Sequence, residues 1–399
     1  MHVQTFWLPQ DILYICKGYL FSSSSPIDSV VPWVGIYGLN WLAAWCSATV
    51  AALLMRRRAL LATSQHERRA SRQIAVLASQ LMAVCGVLAA SVVLGLQQPH
   101  FTQPTGDVRV ALLQGNIPQD EKFEMGEGIN RSLSWYGRAL LSSQAPLLVT
   151  AETAIPLLPS QLPPGYLEAI RAPFEAEGSK RAAIVAIPLG SAEYGYTNSV
   201  MGFHTEGKPY TYHKHHLVPF GEFIPRGFRW FVNMMHIPLG DFNRGPLPQA
   251  PFAWQGERIA PNICYEDLFG EEIGAGFQDE AQAPTILLNL SNIAWFGDTV
   301  AIDQHLAISR MRAMEFERPM LRATNTGATA LIDHTGRVVH ALPRMTQGVL
   351  DVTAQGRQGL TPYARWVSVW GLWPLVGFCL FTLVAGFAGL MLQVRRASR

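Results

Sequence analysis

Three long stretches without a charged residue are the strongest pattern in the sequence. They cover residues 32–55, 74–96 and 366–394. As a helix, each would be about 35 Å long or more, which is enough to cross the hydrocarbon core of a bilayer. A buried core helix is the alternative for each stretch, but three of them with basic ends favour membrane spans. We therefore predict two transmembrane helices within residues 32–96 and a third over residues 366–394.

Arginines at the ends of these stretches predict their orientation. The segment 56–73 holds a single acid, Glu67, against six arginines: Arg56, Arg57, Arg58, Arg68, Arg69 and Arg72. By the positive-inside rule this segment is cytoplasmic, and so is the basic C-terminus that follows residue 394. Residues 107–355 then lie on the opposite side of the membrane. The topology accounts for both basic clusters, so we expect no nucleic-acid partner.

Residues 1–31 form a different kind of segment. Their apolar positions are interrupted by Pro9, Gln10 and Asp11, and they contain no basic head followed by an apolar run and a cleavage site. We interpret this segment as an arm at the membrane interface.

Between residues 107 and 355 short apolar runs alternate with amphipathic segments. The pattern predicts strands at residues 108–114, 146–150, 182–189, 259–263 and 285–290, helices at 129–142, 167–177 and 302–317, a hairpin over 198–217, and a strand-rich end from 320 to 352. This alternation indicates a layered α/β domain with a mixed sheet.

One cysteine is isolated in that domain. Cys264 ends an apolar run, whereas the other cysteines, Cys16, Cys46, Cys85 and Cys379, lie in the arm or in the predicted spans. A thiol at the end of a strand is accessible to a substrate and becomes a nucleophile when a base or a cation is close. The alternative is an inert buried thiol.

Two ionisable residues follow apolar runs in the same way. Glu152 could serve as a general base, and Lys214 could stabilise a thiolate and an oxyanion, although both could also be ordinary surface charges. Alternation along a strand puts His213 and His215 on one face, but no third ligand at a suitable spacing completes a metal site. We therefore expect neither a metal nor a cofactor.

The segments around these residues resemble the carbon–nitrogen hydrolase (nitrilase) superfamily. The motifs are ETAIP at Glu152, YHKHHLVPFGEFIP at Lys214, ICYED at Cys264 and LSNIAWFGD at residues 290–298. Together with the predicted spans and the segment HLAISRMRAMEFERPMLRATNTG at residues 305–327, they make the chain similar to the membrane branch of this superfamily, the apolipoprotein N-acyltransferases.

The resemblance implies an αββα sandwich flanked by transmembrane helices, in the inner membrane of a bacterium, with the catalytic domain at residues 107–355 in the periplasm. It implies an acyl transfer through a thioester on Cys264, with Glu152 as the base and Lys214 as the oxyanion donor. The acyl donor would be a phospholipid from the surrounding membrane lipids, and the acceptor a diacylated apolipoprotein. Supporting roles fall to Glu222, Tyr265, Glu266 and Trp295.

An apolar, aromatic and Met-rich loop at residues 225–244 fits a membrane surface, where it could admit acyl chains, although it could also pack on the domain itself. Members of the family have further spans before the position that matches Lys17, and we expect this chain to lack them. Two alternatives stay open: a membrane-anchored amidase or nitrilase, and an inactive relative.

Overall fold

The computed structural model describes residues 26–62, 100–118, 127–205, 209–219, 221–223 and 242–397, and part of residues 79–93. The chain divides into two compact units, one of residues 1–100 and 362–399 and one of residues 101–361. Most of the predicted arm, most of the span 74–96, residues 63–73 and most of the loop 225–244 lie outside the described residues.

The unit of residues 101–361 contains two six-stranded sheets. The first has the strand order β12-β1-β2-β3-β4-β5 and the second β11-β10-β9-β8-β7-β6. The strands of the first sheet are β1 (Gln103–Gln114), β2 (Leu147–Val149), β3 (Ala182–Ser191), β4 (Gly195–Phe203), β5 (Tyr210–His213) and β12 (Gly348–Gln358). Those of the second are β6 (Phe252–Trp254), β7 (Glu257–Ile263), β8 (Ile286–Ser291), β9 (Met320–Thr324), β10 (Ala330–Ile332) and β11 (Val338–Ala341).

The centre of each sheet is parallel. In the first sheet β1, β2 and β3 run parallel, and in the second β7, β8 and β9 do so. The flanking strands are antiparallel, as in the pairs β1–β12 and β6–β7. The carboxyl ends of parallel strands meet at one edge of a sheet, and loops at such edges are common sites of function.

Side chains that alternate along the strands separate two apolar layers. On β1, Val108, Val110 and Leu112 join the core between the sheets, while Ala111 and Leu113 join the layer under the helices. This alternation follows from the two-residue period of a strand. It requires that both faces of the central strands are covered.

Helices cover the outer faces. Two helices, α2 (Glu127–Ser142) and α3 (Tyr166–Glu175), pack their apolar sides on the first sheet. Against the second sheet lies α5 (Val300–Phe316), which contacts β9 and β10, and the short α4 (Gly270–Gly274) lies near it. The αββα sandwich expected from the sequence is therefore confirmed.

The unit's first strand begins earlier than the sequence analysis places it. β1 starts at Gln103, five residues before the strand predicted at residues 108–114, because it pairs with β12 as far as Gln358. Arg357 fixes this end of the sheet, since its guanidinium donates to the hydroxyl of Thr102 at 2.7 Å.

The other unit contains apolar helices. Among the described residues, the segment Asp28–Met55 is long and apolar enough to cross a bilayer. The helix α1 (Val31–Ala62) includes most of it and is kinked at Gly35, where φ is 65°. It continues through residues 56–62, which belong to the basic segment that was predicted to be cytoplasmic.

The apolar run 366–394 is not one continuous helix. It is divided between α6 (Pro362–Trp370) and α7 (Trp373–Ala397), which form a bent pair with an angle of 90° between them. Gly371 occupies the corner with φ 54°, a left-handed conformation that favours glycine. The composition of the run does not predict this corner, since glycine also occurs within apolar helices.

We expect Leu288→Ala to lower the free energy of unfolding of the unit by about 2–5 kcal/mol, because it leaves a cavity between the sheets. Leu288 is 0% exposed in the core between them. The matched control is Leu141→Ala on α2, which is 45% exposed and should change stability by less than about 0.5 kcal/mol. Denaturant unfolding measures both, and equal effects would contradict the assignment of the core.

Candidate active site

The three residues singled out by the sequence lie just beyond the ends of strands. Glu152 follows β2, Lys214 follows β5 directly, and Cys264 follows β7. Glu152 is 6% exposed and Lys214 is 1% exposed, whereas Cys264 is partly exposed. The structure brings all three together, since the ammonium group of Lys214 interacts electrostatically with both Glu152 and the thiol of Cys264.

Two carboxylates surround the ammonium group of Lys214. Its Nζ lies 2.9 Å from Oε1 of Glu222 and 3.5 Å from Oε1 of Glu152. Burial acts to lower the pKa of Lys214, but the two carboxylates outweigh this effect, so the pKa is raised above its usual value. Lys214 is therefore a fixed positive charge at neutral pH.

Two asparagines orient the carboxylate of Glu152. The side-chain amide of Asn198 donates to Oε1 of Glu152 and to Oε1 of Glu222, each at 2.9 Å. The backbone N–H of Asn292 donates to Oε2 of Glu152 at 2.8 Å. Both oxygens of Glu152 are thus bonded, which holds the carboxylate in one orientation beside the thiol.

Glu266 connects the strand that carries the thiol to the segment that carries the lysine. Its Oε2 accepts hydrogen bonds from the N–H of Ile263 at 2.6 Å and from the hydroxyl of Tyr212 at 2.8 Å. Its Oε1 accepts from the N–H groups of His215 and His216 at 2.6 and 3.2 Å. Burial raises the pKa of Glu266, and these donors together with Lys214 counteract the shift. Glu266 therefore positions two elements of the site relative to each other.

The two aromatic residues expected near the thiol have different surroundings. Tyr265 is 8% exposed and packs edge-on against Phe269, at 5.3 Å between ring centroids. Trp295 lies in the turn Ile293–Phe296 after β8 and is 68% exposed. Tyr265 is thus part of the wall of the site, while Trp295 presents its ring to the surroundings of the protein.

The backbone of Cys264 has an uncommon conformation. Its φ is 52°, in the left-handed region that a residue other than glycine rarely adopts. Its carbonyl oxygen lies 3.1 Å from the amide nitrogen of Asn289, which donates to it, and 3.2 Å from Nε2 of His305. These contacts stabilise the turn that presents the thiol, because they occupy the carbonyl of the strained residue itself.

The tautomer of His305 follows from its other neighbour. Nη2 of Arg322 lies 2.7 Å from Nδ1 of His305, and a guanidinium group can only donate. Nδ1 must therefore be the acceptor, so the ring proton is on Nε2. That nitrogen lies 3.0 Å from Oδ1 of Asp267 and faces the carbonyl of Cys264.

A buried polar network completes this support. Asp267 and Arg322 are each 0% exposed, and Nη1 of Arg322 lies 3.4 Å from Oδ2 of Asp267. The hydroxyl of Ser309 donates to the same Oδ2 at 2.6 Å. Burial acts to raise the pKa of Asp267, but His305, Arg322 and Ser309 outweigh it, so this pKa is lowered. The network is charged at neutral pH and lies behind the nucleophile.

The thiol of Cys264 is protonated in the resting protein. Burial raises its pKa to about 12, the Glu152 carboxylate adds to the rise, and the Lys214 ammonium opposes it. A thiol of this kind needs a base at the moment of attack. The arrangement of a fixed carboxylate, a thiol and a permanent cation can support attack on a carbonyl group with proton transfer to the carboxylate.

Five further residues support this site and were not predicted from the sequence: Asn198, Asn289, Asn292, His305 and Arg322. Some signals were present in the sequence. Arg322 is a charged residue inside an apolar strand, and a buried arginine there needs partners. Asn198 belongs to a hairpin strand whose polar residues gave no sign that one of them would contact both carboxylates.

The histidines near Lys214 have partners that do not suggest a metal site. Nδ1 of His213 lies 2.8 Å from the hydroxyl of Ser199, and Nδ1 of His215 lies 2.7 Å from the carbonyl of Gly245. Across the described part of the chain, no group of three or more His, Cys, Asp or Glu side chains is arranged to hold a metal ion.

Comparisons with known proteins show what the chain is similar to. Residues 109–363 match the carbon-nitrogen hydrolase family. The chain is 59% identical over 283 residues to a protein of Verminephrobacter eiseniae named apolipoprotein N-acyltransferase, covering 69% of this chain and 52% of that protein. A protein of the same name from Nitrosomonas europaea is 40% identical over 380 residues, which is 94% of this chain and 71% of its own length. The chain thus spans 52% and 71% of the lengths of these two relatives.

Among solved structures, the chain is similar to XC1258 from Xanthomonas campestris, which is described as a CN-hydrolase superfamily protein. The TM-score is 0.47 at 19% sequence identity, over 63% of this chain and 91% of that one.

We expect Glu152→Gln to lower the pKa of the Cys264 thiol, because it removes a negative charge that raises it while the Lys214 ammonium remains. At a given pH below that pKa, a larger fraction of the sulfur should then be thiolate. The ultraviolet absorbance of the thiolate over a series of pH values, taken as the difference from the Cys264→Ala protein, measures this fraction without any attack on a reagent. Glu175→Gln, which affects a surface ion pair with Arg171, is the control and should leave the fraction unchanged. An unchanged or smaller thiolate fraction in Glu152→Gln would contradict the arrangement.

We expect Asp267→Asn to lower the free energy of unfolding by about 3–5 kcal/mol, because it leaves the buried guanidinium of Arg322 without its carboxylate. The folded-state pKa of Asp267 is lowered, so its contribution is present above the unfolded value of about 4 and is lost as the pH falls through the folded value. The difference between wild type and variant should therefore shrink in acid. Asp351→Asn, in an exposed pair with Arg109, is the control, and a similar loss there would argue against the network.

Proposed function

The chain belongs to the carbon-nitrogen hydrolase family and, within it, to the apolipoprotein N-acyltransferases, and on that premise we propose that it transfers a fatty acyl chain from a phospholipid to the N-terminal amine of a diacylated apolipoprotein. The observation that carries the proposal is the thiol of Cys264 within electrostatic reach of both the Glu152 carboxylate and the Lys214 ammonium. This combination suits attack on a carbonyl group, and the names of the relatives suggest the acceptor, an apolipoprotein amine.

The first step forms an acyl-enzyme. The sulfur of Cys264 attacks the ester carbonyl of the phospholipid as Glu152 takes the thiol proton. The ammonium group of Lys214, which is 1% exposed, donates to the oxyanion of the tetrahedral intermediate, because a buried cation stabilises negative charge more strongly than an exposed one. The C–O bond then breaks, and the leaving alkoxide takes the proton from Glu152, so that a lysophospholipid departs and a thioester remains.

The second step uses the same groups in the same places. The free amine of the diacylglyceryl-cysteine attacks the thioester carbonyl, and Glu152 takes a proton from the amine. When the C–S bond breaks, the electron pair returns to sulfur and the thiolate takes up the proton. The products are an amide and the resting thiol.

The fixed charges make this exchange possible. Glu152 has both oxygens bonded by neutral or cationic donors, Asn198, Asn292 and Lys214, so its orientation is the same before and after the proton transfer. Glu222 balances the charge of Lys214 through Oε1, and its Oε2 accepts from the N–H of Val218 at 2.8 Å. The base is thereby free to change its protonation state.

We also propose a location for this chemistry. In this proposal the apolar segments at residues 32–55, 74–96 and 366–394 anchor the protein in the inner membrane, and the arginines of residues 56–73 favour a cytoplasmic position for that segment and a periplasmic one for the catalytic unit. The exposed ring of Trp295 suits contact with lipid, because a large aromatic side chain is favourable at a membrane interface.

An alkyne-tagged phospholipid tests the proposal. We expect the full-length chain in detergent to become labelled on Cys264, in a form that hydroxylamine removes, and Cys264→Ala to stay unlabelled at that peptide. The peptides that contain Cys46, Cys85 and Cys379 serve as internal controls. A diacylated lipopeptide added next should acquire the label at its N-terminal amine.

Two results would contradict acyl transfer. Tagged free fatty acid instead of tagged lipopeptide would indicate a membrane-anchored hydrolase in which water replaces the amine. No label on Cys264 during incubation with donor, in a protein that still unfolds cooperatively, would indicate an inactive relative.

A further inference from the structure

Ser291 is the last residue of β8, and the strand register places it beside the nucleophile. β7 and β8 are parallel, and the last residues paired between them are Ile263 and Leu290. Cys264 follows the first of these and Ser291 the second, so the two side chains leave neighbouring strands at the same level. On its other side Ser291 is paired with Thr324 of β9, which fixes its backbone within the sheet.

The hydroxyl of Ser291 has no nitrogen or oxygen partner among the described residues. Ser291 is 0% exposed, and its Oγ makes no hydrogen bond to a polar group of the protein in the resting structure. A buried hydroxyl in this condition is costly, so most such groups in proteins have a partner. An unsatisfied donor directly beside a reacting atom is the kind of group that acquires its partner when charge develops there.

We propose that the hydroxyl of Ser291 is a hydrogen-bond donor to the sulfur of Cys264 and stabilises that sulfur when it becomes negatively charged. The acceptor is a soft sulfur atom that carries little charge while it is protonated. The bond therefore strengthens as the thiolate forms, which is the condition for an interaction that accelerates a reaction. The hydrogen of a hydroxyl group rotates freely, so no movement of the sheet is needed.

Electrostatics at the thiol agree with this geometry. Burial and the Glu152 carboxylate raise the pKa of Cys264, whereas the Lys214 ammonium and the Ser291 hydroxyl oppose the rise. The ammonium group of Lys214 already binds two carboxylates and must also stabilise the oxyanion. A neutral donor that bonds only to the sulfur adds stabilisation of the thiolate that Lys214 does not supply.

Sulfur would be anionic at two moments, during attack on the donor ester and when the acceptor amine displaces it. The second of these rests on the proposed function, but the first requires only that the thiol reacts as a nucleophile. Alkylation of Cys264 by iodoacetamide tests the first moment without any lipid.

The experiment compares two variants of equal shape, Ser291→Thr and Ser291→Val, in the full-length chain. Threonine keeps the hydroxyl and valine lacks it, so differences in packing cancel. We expect Ser291→Val to be alkylated at Cys264 about 10- to 100-fold more slowly than Ser291→Thr at neutral pH, with its rate profile displaced to higher pH. Ser132→Ala is the control, since this buried serine on α2 donates to the carbonyl of Ala154 instead.

Coincident pH profiles for the Thr and Val variants would overturn the inference. Labelling with the tagged phospholipid then tests the proposed function independently of this hydrogen bond. If Cys264 forms no thioester but the two profiles differ, the hydrogen bond stands and acyl transfer fails. If the thioester forms at equal rates in both variants, the transfer stands and Ser291 has no part in it.

Discussion

Lys214 is 1% exposed, and a buried ammonium ion stays charged only where negative charge is close. Glu222 and Glu152 supply that charge, at 2.9 and 3.5 Å. Burial, and after it the same carboxylates, make it harder for Cys264 to ionise, so the nucleophile is stored as a thiol. Asn198 joins the two carboxylates through one amide group. The protonation states of the whole site therefore depend on one buried cation and its two partners.

The strands and the positions of Glu152, Lys214 and Cys264 were predictable, because apolar runs that end in a polar residue are a local pattern. The αββα layering came from the resemblance and is confirmed by the two sheets. Local pattern could not reveal the supporting contacts, since residues far apart in the sequence make them. Asn292 bonds to Glu152 across 140 positions, and Arg322 reaches Asp267 across 55. The corner at Gly371 was missed for another reason, because a turn between two apolar helices leaves composition unchanged.

The strain at Cys264 and the buried network behind it form one structural unit. A residue with φ 52° is retained only where its surroundings overdetermine the conformation. Asn289 and His305 face its carbonyl, and Arg322 fixes the tautomer of His305. Arg322 in turn depends on the carboxylate of Asp267, three residues after the nucleophile. Folding of this polar core and presentation of the thiol are therefore not separable.

The base and the nucleophile belong to different sheets. Glu152 follows a strand of the first sheet and Cys264 follows a strand of the second, and an apolar layer separates the two sheets. The position of the carboxylate relative to the thiol is consequently held by contacts between the two sheets, such as the hydrogen bond that the N–H of Asn292, after β8, donates to Glu152. Interior side chains such as Val110 and Leu288 keep the two sheets apart. A substitution in this core that shifts one sheet against the other would then also displace the base relative to the nucleophile, so packing and proton transfer are linked in this protein.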